Sequence, residues 1–147
     1  MFRPVFICIL TLSATVAGFA EPVSFRNDVM AAISKAGCNL GTCHGNATGK
    51  GGFKLSLRGQ DADFEFKALA REASGRRVNL FTPEQSLLLV KASNKIAHEG
   101  GKKIDSQGWE YQVLRDWIAA GMPRDDSTAP KVALRSEERR VGKECVP

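Results

Sequence analysis

The stretch Gly37–Gly45, GCNLGTCHG, constrains this chain more than any other. Cys38 and Cys43 enclose four residues, and His44 follows the second cysteine directly. Three chemistries use such an arrangement. The first is covalent haem attachment, in which two thiols add across the haem vinyl groups and the adjacent imidazole reaches the iron. The vinyl separation is fixed, so the sulfur separation must be fixed too. The usual spacing is C-x-x-C-H. Here the spacer NLGT is two residues longer, and the extra residues must bulge outward, which Gly41 eases. The second chemistry is a Cys38–Cys43 disulfide, with His44 incidental. The third is a zinc site, for which Cys38, Cys43, His44 and His98 supply a Cys2His2 set. Adjacent Cys43 and His44 make that set awkward around one tetrahedral ion.

Compartment bears on the choice. The opening MFRPVFICILTLSATVAGFAEP carries Arg3, then an apolar run, then Gly18 and Ala20 at small-residue positions. This is the pattern of a secretory signal peptide over residues 1–20, cleaved after Ala20. The apolar run is short for a membrane span, and no second candidate follows it. The mature protein is therefore expected to be exported, periplasmic or at the cell surface, with no stable span after cleavage. Cys8 leaves with the leader, and Cys145 lies in the tail. Cys38 and Cys43 remain, fewer than a disulfide-stapled small scaffold carries, which points to local chemistry.

Charge excludes one function class. The 147 residues carry a net +5 and a pI near 9.2, which alone would suggest an acidic partner. The excess is spread: residues 21–130 and 131–147 each hold +2, and Arg3 supplies the rest. No basic stripe with interleaved aromatics occurs, so nucleic acid is not an expected partner. The tail RSEERRVGKECVP is charged and has no core pattern, so residues 131–147 are expected to be disordered or non-native.

Residues 21–130 read as one small, mostly α-helical domain with one short extended segment. VSFRNDVMAAISKA places Phe25, Val29, Ile33 and Ala36 at helical spacing, with Ser24 as cap and Gly37 as stop. FKLSLRG alternates Phe53, Leu55 and Leu57, predicting an extended segment with one buried face. DADFEFKALARE predicts a helix with Phe64, Ala68 and Leu69 on one side. TPEQSLLLVKAS starts with Thr82 as cap and Pro83 at the first helical position. DSQGWEYQVLRDWIAAG predicts the last helix, with Trp109, Val113 and Trp117 on a stripe beside Leu114 and Ile118. Gly121 and Pro123 end it.

The other histidine, His98, lies in the loop NKIAHEGGKK before that helix. It is either a solvated loop histidine or a second ligand to iron or another metal. Met122, in AAGMPRDD, is the rival thioether ligand, but it follows the last helix instead of preceding it. Met30 lies inside the first helix and reads as filler. GNATGKGG lacks the spacing of a phosphate loop, and its glycines suit a turn or a close approach to a haem edge. Arg76 and Arg77 are either a solvated pair or partners for haem propionates.

Taken together, SFRNDVMAAISKAGCNLGTCHGNATGKGGFKLSLRG, GRRVN, PEQSLLLVKA, HEGGKKI and YQVLRDWIAAGMP resemble the cytochrome c-like domain of planctomycete-type exported multidomain proteins. The resemblance spans residues 23–126. It implies one haem c bound through Cys38 and Cys43, His44 as proximal ligand, and single-electron transfer without enzymatic activity. In related domains a Met in an MPP loop is the distal ligand. HEGGKK stands there instead, which implies His98 and a lowered potential. It implies a redox partner protein or a second domain, and a chain that stops where the next domain would begin. The alternative function is a haem-free, cytochrome-like docking module stapled by a Cys38–Cys43 disulfide.

Overall fold

Ser24 starts the fold as expected: its hydroxyl accepts from the Asn27 N–H at 3.1 Å. In the computed structural model, which describes residues 22–125, the first turn is a π-helical one, Phe25–Val29, running into α1 (Met30–Lys35). Gly37, at φ +73°, terminates it in a conformation that favours glycine. α2 (Ala62–Ala70) is capped by Asp61, whose carboxylate accepts from the N–H groups of Asp63 and Phe64. α3 (Leu87–Ala92) and α4 (Trp109–Ala119) complete the set, with short 3-10 turns between. The described residues are mostly helical, and among them the sole β feature is an isolated bridge between Lys50 and Phe53.

The core lies where α1 and α4 meet α2. Phe25 packs edge-on against Phe66, with centroids 5.1 Å apart, and against Trp117 at 5.3 Å. Trp117 is fully buried, and its indole N–H donates to the Pro123 carbonyl at 3.0 Å, so its polar edge is satisfied. Asp125 accepts from Ser24 Oγ and from the Phe25 and Arg26 N–H groups, tying the end of the described chain to its start.

Four sequence expectations need correction. Phe64 is only half-buried, and Phe66 takes the core position, because α2 also turns Glu65 and Ala70 inward. Trp109 is 46 % exposed, with the Lys35 ammonium over its ring, while Tyr111, Leu114, Trp117 and Ile118 form the buried stripe of α4. The segment after Phe53 forms no strand: Leu55 is buried, but Leu57 is exposed because a 3-10 turn, Leu57–Gly59, begins there with Arg58 at φ 56°. Thr82 makes no side-chain cap; Asn79 Oδ1 accepts from the Phe81 and Thr82 N–H groups instead. Ser86, at ψ 131°, separates the Pro83–Gln85 turn from α3. The leader over residues 1–20 and the tail over 131–147 lie outside the described residues. Within them no helix is long and apolar enough to cross a membrane.

Candidate functional site

The cysteine loop is a hydrogen-bonded knot. The Cys43 N–H donates to Leu40 O at 2.9 Å, His44 N–H to Cys38 O at 2.9 Å and Gly45 N–H to Leu40 O at 3.0 Å. The four-residue spacer is thereby folded back on itself, and the two cysteines and His44 lie at the wall of one cavity. Gly41 is not what allows this. Its φ is not positive, and a β-carbon there would only meet Leu57 at 3.8 Å. Gly45 is the position the knot requires. A β-carbon there would overlap the Asn39 carbonyl oxygen and lie 2.7 Å from its carbon.

The cavity holds about 460 Å³, a size that suits a small-molecule ligand or cofactor. Ile33, Phe53, Leu87, Leu88 and Ala92 give it an apolar wall. His98 lies on the opposite loop, which is pinned by Lys103 N–H to Ala92 O at 2.8 Å and by buried Ile104. The two imidazoles face each other with centroids 6.4 Å apart and planes within 13°.

Both rings are oriented the same way. His44 Nδ1–H donates to Phe53 O at 2.9 Å, and His98 Nδ1–H donates to Gly101 O at 2.8 Å. In each ring the Nε2 lone pair is thus the one presented for ligation, the arrangement that carbonyl partners impose on metal-binding histidines. Burial, and then His98, hold the His44 imidazole below its ordinary pKa, which keeps it neutral. A metal ion held between two imidazole nitrogens at about 2 Å each would set the ring centroids about 6 Å apart. His44 and His98 have a separation of that order, so they are residues that could hold a metal-centred group on the cavity that both cysteines line. They do not gather into a tetrahedral site: among the described residues no cluster of three or more His, Cys, Asp or Glu could hold an ion.

Both cysteines are free thiols. Burial, and then Cys43, push the Cys38 thiol up to about 11, while Lys103 opposes the shift. A thiol so protonated is a poor nucleophile. In the folded chain without cofactor, Cys38 should alkylate at pH 8 about 100-fold more slowly than an ordinary thiol. Timed alkylation with peptide mapping measures this; an ordinary rate would mean that Cys38 is not closed off.

Lys50, Arg76, Lys91 and Lys103 ring the cavity, with Glu99 the acidic residue among its lining. Arg77 is tied to the backbone behind the cavity wall. Its guanidinium donates to Ala68 O and Gly52 O, both at 2.9 Å, and covers the Phe53 ring at 4.6 Å. It clamps the wall against which His44 rests, a role no sequence pattern announces. Exposed Arg76 stays at the rim. Met122 is buried on the far side, in a shallow pocket with Asp63, Phe66, Lys67, Arg71 and Arg124, and Met30 is in the core. Neither is brought to the histidines.

Comparison with protein-family models, with curated proteins and with solved structures yields no match to this chain.

Proposed function

We propose that this protein is an exported single-electron carrier that holds one haem c, attached through Cys38 and Cys43, with His44 and His98 as axial ligands. The observation that carries the reading is the pair of imidazoles, each fixed through Nδ1 by a backbone carbonyl and facing the other across an apolar cavity that both cysteines line. Bound there, the haem would supply a one-electron couple. The chain's own residues do the rest. Phe53 O and Gly101 O set the ligand tautomers and raise their basicity. Ile33, Leu87 and Leu88 would exclude water, and the basic rim would supply cations for the two carboxylates of the cofactor. With His44 and His98 both holding the iron, no position would be left for a substrate, and the reading is therefore of a carrier. Histidine in place of a thioether would set the potential low.

The test is expression in a periplasm with c-type maturation machinery. A pyridine haemochrome of the c type and a mass increased by one haem are expected, with His98→Ala converting the spectrum to a five-coordinate form. An unchanged His98→Ala spectrum would remove His98 from the site. No haem, with a mass two protons light, would establish the disulfide-stapled module instead.

A further inference from the structure

Glu65 is 0 % exposed on α2, a rare place for a carboxyl group. Its Oε1 accepts from Ser56 Oγ–H at 3.1 Å, and its Oε2 has no hydrogen-bond partner among the described residues. A half-satisfied buried carboxyl calls for an explanation, and its location supplies one. Ser56 follows Leu55, whose N–H donates to the His44 carbonyl at 2.8 Å. On the other side the carboxyl is faced by Asn39, the spacer residue next to Cys38, which is 1 % exposed and donates to Ser34 Oγ at 2.9 Å. Glu65 thus sits beneath both ends of the cysteine loop.

The ionisable groups that face it are acids, Asp61 from the N-cap of α2 and Cys38 from the loop above. Among the described residues no basic side chain pairs with it. Burial pushes its carboxyl up to about 7, with the hydroxyl and N–H of Ser56 and the Asn39 side chain opposing and Asp61 adding to the shift. A charge added nearby in such a medium acts strongly on an uncompensated carboxylate. Ser56 Oγ also accepts from the Asp61 N–H at 3.1 Å, so the hydroxyl that binds Glu65 reaches the exposed start of α2.

We infer that Glu65 is the proton acceptor coupled to electron arrival at this site, an inference that rests on the haem reading above. When a one-electron donor protein reduces the site, a proton from water binds the Glu65 carboxylate, and it leaves on reoxidation. Where Glu65 is ionised before reduction and protonated after it, one O–H bond forms on Glu65 for the electron received, and the net charge of the buried region is unchanged; at lower pH, where Glu65 already carries its proton, no proton is taken up.

The experiment is a redox titration of the holoprotein from pH 5 to pH 9, with redox-difference infrared spectra. The potential should fall with rising pH through neutrality, and a protonated-carboxyl band should appear on reduction. Glu65→Gln should lose both while keeping the haem spectrum. If Glu65→Gln does not fold, Ser56→Ala replaces it and should move the inflection to higher pH. A potential independent of pH, a pH dependence that survives Glu65→Gln, or an inflection unmoved by Ser56→Ala would overturn this inference alone. A protein without haem absorbance would overturn the haem reading and this inference with it.

Discussion

Gly45→Ala should destabilise the domain by about 3 kcal/mol, the upper end for overpacking a closed site, and should abolish stable haem attachment. The new β-carbon would enter the Asn39 carbonyl group, and backbone cannot rotate aside as a flexible side chain can. That carbonyl already accepts from the Arg58 N–H at 2.9 Å, so moving it breaks a second contact. Relief must come from opening the knot, through loss of the bonds from Cys43, His44 and Gly45 to Leu40 and Cys38. His44 would then lose its fixed position relative to the two thiols. Gly41→Ala is the control in the same loop, since a β-carbon there meets only the Leu57 side chain at ordinary distance. Denaturant unfolding and haem yield measured on both variants check this. A Gly45→Ala protein within about 0.5 kcal/mol of the parent, as for an ordinary surface change, would mean that the knot is not fixed in this form.

The contrast between these glycines shows what the sequence could and could not convey. Local signals were legible: Ser24 as cap, Gly37 as stop, and helices around each expected segment, because each depends on chain neighbours alone. The phase of a helix is a tertiary property. In α4 an aromatic stands near every turn, and the pattern alone puts Trp109 on the buried stripe; in the fold Trp109 is turned out beneath Lys35 and Tyr111 is buried instead. The same holds for Phe64 and Phe66. In the loop, a glycine in the spacer was the natural explanation for a long spacer. The position that matters follows the histidine, because the spacer folds back over it. The loop position of His98 drew attention in the sequence. Its ring orientation, fixed by a carbonyl three residues on, and the clamp made by Arg77 are products of packing. Glu65 was invisible for a simpler reason: a carboxylate in an amphipathic pattern is read as solvent-facing.

The Glu65 carboxyl yields the second large effect, a stability that falls as pH rises from mild acid to neutrality. Burial raises the folded-state pKa of Glu65 from the ordinary 4.5 to about 7. Below pH 4.5 both folded and unfolded chains carry the proton, and the group contributes nothing to the pH dependence. Between pH 4.5 and 7 the unfolded chain loses it while the folded chain keeps it. The folded state then binds more protons, and stability declines with pH. Above pH 7 both are ionised and the loss is complete, about 3 kcal/mol at 1.36 kcal/mol per pKa unit. Glu65→Gln keeps the acceptor for Ser56 and cannot ionise. Its amide brings a fixed offset, so the informative quantity is the difference between variant and parent as a function of pH. That difference should shift by about 3 kcal/mol in favour of the variant between pH 4.5 and pH 8, measured by urea unfolding at several pH values. The carboxylates of an ordinary protein give the opposite slope, since native ion pairs hold their pKa values down. A difference that stays flat over this range would show that Glu65 is solvated or paired in the folded chain. The buried proton, and the redox coupling built on it, would fall together.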